Sequence, residues 1–192
     1  MYENLVNHIQ RFVRLTADEQ AILSSYLNFR EVARKEHILN EGQICSANHF
    51  IIKGCFRMYS ITETGLEQIV HFGIENWWIT DYMSLDRVQP SQFSIQAVER
   101  SSIAILHKSM QDELFARVPT LERYFRLVLQ RAYAASVMRV KFIFTESGEE
   151  RFNNFKQAFP EFIQRIPQYM LASYLGFTPE FLSKIRAKRE SR

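Results

Sequence analysis

The sequence is poor in the residues that mark several classes of protein. It has 2 cysteines, Cys45 and Cys55, too few for a disulfide scaffold, a four-thiolate zinc site or an iron–sulfur cluster. With 6 glycines and 5 prolines it is neither collagen-like nor a flexible linker. The longest stretch free of Asp, Glu, Lys and Arg, Ile166 to Pro179, is interrupted by Pro167 and Gly176 and is shorter than the roughly 20 residues a bilayer-spanning helix needs. Glu3 stands where a secretion signal would be basic. A reducing, cytoplasmic setting with no membrane partner is expected.

Against these absences, 46% of the 192 residues are apolar and 14% aromatic, enough for a buried core. The net charge of +3 is unevenly placed. Lys184, Arg186, Lys188, Arg189 and Arg192 oppose only Glu190, so this end alone exceeds the total and the remainder is slightly acidic. A basic terminus beside an acidic body points to an anionic partner.

The periodicity divides the chain into 1–118, 119–145 and 146–192. Leu5, Ile9, Phe12 and Val13 form one helical face, and Thr16 with Glu19 makes a capping box opening a second helix. From about Phe29 to His107 the pattern becomes strand-like: HFIIKGCFRMYSI, LEQIVHFGI, FSIQAV and SSIAIL, with Glu63-Thr64-Gly65 as a hairpin tip. This predicts an antiparallel β-roll, and the whole chain an α+β protein. Pro119 suits the first turn of a long helix, in which Leu121, Phe125, Val128, Ala132, Ala135, Met138 and Phe142 fall at alternating three- and four-residue steps. Such a seam predicts a partner helix, most simply that of a second copy. Ser147 and Glu150 form another capping box before a helix carrying Phe152, Phe155 and Phe159.

The segment from Pro167 to Lys188 carries the strongest functional signal. A helix bearing Leu171, Tyr174 and Leu175 is broken by Gly176, and Thr178-Pro179 restarts a second helix as N-cap and first-turn proline. Counting from Gln168, the fifth residue is Ala172, the ninth Gly176, the fifteenth Leu182 and the eighteenth Ile185. A helix-turn-helix needs this order: a small side chain where the helices touch, glycine in the left-handed turn, and two apolar residues seating the second helix. The second helix would present Glu180, Ser183 and Lys184 to base edges, with Pro179 at its entrance. Arg186, Lys188 and Arg189, with Gln168 and Tyr169 from the first helix, would meet phosphates. Double-stranded DNA is the expected partner, and RNA polymerase a further one if the protein activates.

In the roll, Trp77, Trp78 and Tyr82 beside Asp81 suit a largely apolar small ligand with one polar anchor. No cofactor or metal is expected. His8, His37, His49, His71 and His107 lack the H-x-H spacing of a cupin-like metal enzyme, and no P-loop or H-E-x-x-H helix occurs. The competing readings are such a metal-dependent roll, or a module whose C-terminal helices bind protein rather than DNA.

The order roll, seam helix, helix-turn-helix resembles the Crp/Fnr superfamily of transcription regulators, in particular its short Bacteroidetes-type members. The likeness rests on HILNEGQ (37–43), FIIKGCFRMYS (50–60), the Gly65 hairpin, FGIENWW and TDYMSL within 72–85, SIQAVE (94–99) and IPQYMLASYLGFTPEFLSKIR (166–186). It implies a double-stranded β-helix of the cyclic-nucleotide-binding type and a homodimer on a palindromic site. The family's phosphate cassette holds a glutamate for the ribose and an arginine for the cyclic phosphate. Here the first position falls at Asp81 and the second within Pro90-Ser91-Gln92, where no arginine stands. A buried phosphate without a cation is costly, so cyclic AMP and cyclic GMP are not expected to bind, and any effector is a different small molecule. The sequence runs only a few residues past Lys188, so the basic tail is expected to supply the phosphate contacts that the family's β-hairpin wing makes.

Overall fold

A computed structural model describes residues 2–190, with the side chains at 186 and 188–190 outside the description. The chain divides into two units by its internal contacts. One comprises residues 1–60 and 71–130, the other 61–70 and 131–192.

The first unit opens with helices α1 (Tyr2–Gln10) and α2 (Ala17–Ser25). The Thr16 side chain accepts from the Glu19 amide while Glu19 accepts from the Thr16 amide, the reciprocal capping box the sequence predicted. Two four-stranded sheets follow. The first orders β1 (Asn28–Val32), β8 (Ser101–His107), β3 (Ala47–Lys53) and β6 (Trp78–Ile79), and the second β2 (His37–Leu39), β7 (Ser94–Ala97), β4 (Phe56–Ile61) and β5 (Glu67–Gly73). The pairings β1–β8, β3–β8, β3–β6, β2–β7 and β4–β7 are antiparallel. In chain order the six-residue helix α3 (Tyr82–Arg87) comes between β6 and β7, and α4 (Lys108–Arg117) after β8.

The long helix α5 (Thr120–Thr145) begins one residue after Pro119. Its first turns close the core of this unit. Leu121, Tyr124 and Phe125 pack with Leu5, Ile9 and Val13 of the N-terminal segment and with Phe50, Ile52, Ala104 and Leu106 of the first sheet. Each buried Leu, Ile, Val or Phe among them contributes about 1.5–3 kcal/mol. Tyr124 is fully buried, and its hydroxyl accepts from Trp78 Nε1 at 2.8 Å and bonds His8 Nδ1 at 2.9 Å. Burial holds the phenol well above its ordinary pKa, so it remains a neutral hydrogen-bonding hub.

In the second unit α5 is followed by α6 (Gly148–Ala158), α7 (Pro160–Arg165), α8 (Gln168–Leu175) and α9 (Pro179–Glu190). The Ser147/Glu150 capping box forms as predicted. Helix α7 was not anticipated: Pro160 opens it, and it buries Phe162. In the helical part of this unit the buried apolar side chains are Phe152, Phe162, Ile166, Met170, Leu171, Ala172, Leu175, Leu182 and Ile185. Phe155 of α6 adds ring contacts with Phe159, Phe162 and Tyr174. Gly148 leaves room for the Phe181 ring, which a Cβ there would meet at 2.5 Å. Among the described residues no helix is long and apolar enough to cross a membrane.

Candidate nucleic-acid interface and sensor cassette

Helices α8 and α9 meet across residues 176–178. Gly176 adopts φ +76, the left-handed conformation that favours glycine. Its N–H donates to Ser173 O, and the Phe177 N–H reaches back to Ala172 O at 2.9 Å, the paired bonds of a Schellman termination. Thr178 then caps α9, its hydroxyl accepting from the Phe181 amide and its carbonyl from the Leu182 amide. Ala172 and Leu182 are fully buried and Ile185 nearly so.

This burial leaves one face of α9 in solvent. Thr178, Pro179, Glu180, Ser183 and Lys184 are all exposed, as are Gln168 and Tyr169 at the start of α8. Hydrogen bonds from its own amide and from Thr178 hold the Glu180 carboxyl below its usual range, keeping it an acceptor. The side chains of Arg186, Lys188 and Arg189 lie outside the described residues. Phe181, which the sequence reading did not single out, packs edge-on against Phe177 at 5.3 Å while staying 45% exposed.

The predicted seam of α5 needs correction. Leu121 and Phe125 are buried in their own chain's core, so these two are not open to a partner helix, and the half-buried Val128 packs against the same core. Ala132, Ala135 and Met138 are exposed and Phe142 is half-buried. The large exposed apolar residues are Leu129, Tyr133, Val137, Val140, Ile143 and Phe144 as well as Met138. A straight helix drifts about 20° per heptad from a 3.5-residue repeat, so a seam anchored on the core-facing Leu121 does not follow the outward face of the later turns.

In the roll, the expected ligand residues lie in different surroundings. Trp78 belongs to the core: besides its bond to Tyr124, its ring packs on Phe50 at 5.3 Å and Phe125 at 5.0 Å. Trp77 is partly exposed and stacks on His71, and Tyr82 and Gln92 are exposed. Asp81 is buried and caps α3, one carboxylate oxygen accepting from the amides of Met83 and Ser84. The other accepts from the buried Ser91 hydroxyl at 2.7 Å. The two cassette positions thus bond each other. Arg87 and Arg100 are both exposed.

One guanidinium is buried among the described residues, and sequence reasoning missed it. Arg57 on β4 donates from Nε to Gln96 Oε1 at 2.9 Å and lies 4.3 Å over the Tyr59 ring. The only signal was an arginine within an otherwise apolar strand. Both cysteines are buried, and no disulfide joins them. Burial pushes the pKa of His49 down to about 4, so it is neutral near pH 7. No group of three or more His, Cys, Asp and Glu able to hold a metal occurs among the described residues.

Residues 29–118 match the cyclic nucleotide-binding domain family. Electron transport regulator A of Shewanella oneidensis is 24% identical over 185 residues, spanning 89% of this chain and 72% of that protein. Among solved structures, the c-di-GMP responsive global regulator CLP of Xanthomonas campestris superposes with a TM-score of 0.76 at 9% identity, covering 92% of each chain. A regulator of the Crp/Fnr family from Eubacterium rectale does so with a TM-score of 0.69 at 14% identity, covering 92% of this chain and 84% of that one.

Proposed function

For a chain with the Crp/Fnr regulator fold and a domain of the cyclic nucleotide-binding family, we propose a sequence-specific, DNA-binding transcription regulator without catalytic activity, acting as a homodimer. The observation that carries this reading is the division of α9. Leu182 and Ile185 seat the helix, while Glu180, Ser183 and Lys184 face solvent with acceptor, permissive and donor chemistry for base edges. Gln168 and Tyr169 stand exposed at the α8 N-terminus, where phosphate contacts orient such a motif. Arg186, Lys188 and Arg189 add the basic charge that non-specific affinity requires.

The second copy would pair along the exposed apolar stripe of α5, and each subunit would read one half of a palindromic site. The roll does not take a cyclic nucleotide through its cassette, because Asp81 is occupied by Ser91 and the α3 amides and no arginine stands at the phosphate position. Fluorescence anisotropy with labelled genomic duplex against excess heteropolymer competitor tests the reading. Competitor-resistant binding that weakens steeply with salt is expected; equal affinity for every duplex, or none, would refute it.

A further inference from the structure

Strand β5 is the last strand of its sheet, so among the described residues one of its edges has no strand partner. Edge N–H and C=O groups left open are a liability that folded chains cover. A single side chain of α8 covers two such groups here. Ser173 Oγ donates to Glu67 O at 3.0 Å and accepts from the Ile69 amide at 2.9 Å, so one hydroxyl bridges two edge groups in the manner of a neighbouring strand. Gln68 Nε2 donates in return to Ser173 O at 2.7 Å.

A second tie lies one residue on. Arg139 of α5 donates from Nη2 to Tyr174 O at 3.0 Å, donates through Nη1 to Val70 O, and lies 4.1 Å over the Tyr174 ring. All these residues belong to the second unit, with the hairpin tip 61–70 grouped among the helices. Helix α8 is therefore held from two sides: by α9 through Ala172, Leu182 and Ile185, and by β5 through Ser173 with Arg139 as a brace.

We propose that Ser173 is a positioning residue of the DNA reader, its hydroxyl pinning α8 to the edge of β5 so that the hairpin tip 61–70 sets the pose in which the α8–α9 pair meets DNA. The role rests on the DNA-binding reading above. A pinned α8 loses less freedom on binding than a loose one, so the bond favours affinity. Ser173 makes no base contact in this scheme.

The test compares full-length wild type, Ser173→Ala and Ser173→Thr, reading amide hydrogen exchange at Ile69 and affinity for duplex DNA. In Ser173→Ala, Ile69 exchange should rise about fivefold or more and DNA affinity should fall by a similar factor, about the loss of one hydrogen bond. Ser173→Thr, which keeps the hydroxyl, should restore both. Gln68→Ala, which leaves the helix untouched, should give a weaker change of the same sign. The proposal fails if Ile69 exchange is unchanged in Ser173→Ala, if exchange rises while affinity stays constant or increases, or if Thr behaves as Ala. Absence of DNA binding by wild type would instead refute the DNA-binding reading, and the Ile69 arm would still show whether Ser173 holds the strand.

Discussion

The Ser91 hydroxyl donates to Asp81 Oδ2 at 2.7 Å, both side chains buried, and so closes the loop after α3 onto the residue that caps it. The Ser91 oxygen also accepts from the Phe93 amide, while Ser84 accepts from the Cys45 amide and donates to Gln89 O. The loop is thus fixed by its own polar groups. Asp81→Ala should lower stability by about 1–3 kcal/mol, since it strands the α3 amides and the Ser91 hydroxyl. Urea denaturation checks this, and calorimetric titration of the wild type with cyclic AMP or cyclic GMP should show no saturable heat.

Lys184 is exposed on α9 between the seated residues Leu182 and Ile185. Lys184→Ala should cost about 1–3 kcal/mol on the preferred site and much less on unrelated duplexes, relaxing preference at one position of each half-site. Binding titrations over a set of single-base variants read this out. An equal loss on all sequences would place Lys184 on phosphate instead.

Leu121 and Phe144 separate the two faces of α5, one fully buried and the other 82% exposed. Leu121→Ala should destabilise the fold by about 2–5 kcal/mol, through the cavity it leaves. Phe144→Glu should leave the thermal midpoint nearly unchanged and shift sedimentation toward the monomer. The predicted face is therefore tested separately from the core.

His49 gives the roll a pH dependence. Its pKa of about 4 in the folded chain lies below the 6.5 of an unperturbed imidazole, chiefly because burial disfavours the charged form. Between these values the unfolded chain binds the proton and the folded chain does not. Stability is therefore full above pH 6.5 and declines as pH falls toward 4, by up to about 3 kcal/mol. Denaturation curves across this range should show the slope, and His49→Gln should flatten it.

Much of the fold was legible because its signals are local. The capping boxes at Thr16 and Ser147, the left-handed Gly176 and the Thr178-Pro179 restart depend on residues within four positions of one another, and all form. What was illegible depends on distant partners. The Ser173 hydroxyl meets a strand 104 residues away, and Trp78 is drawn into the core by Tyr124, 46 residues on. The α5 seam was misread at Leu121 and Phe125 because an apolar repeat does not say whether its own domain or a second copy covers it. Residues brought together by the closing of a sheet, such as Arg57 and Gln96, leave no spacing to read.

The most direct test of the account is selection of bound sequences from a random duplex pool by the full-length protein. A regulator that reads DNA as a two-fold dimer through α9 should enrich a palindrome whose half-sites lie about one helical turn, roughly 34–36 Å, apart. An unenriched pool, or a site without two-fold symmetry, would contradict it.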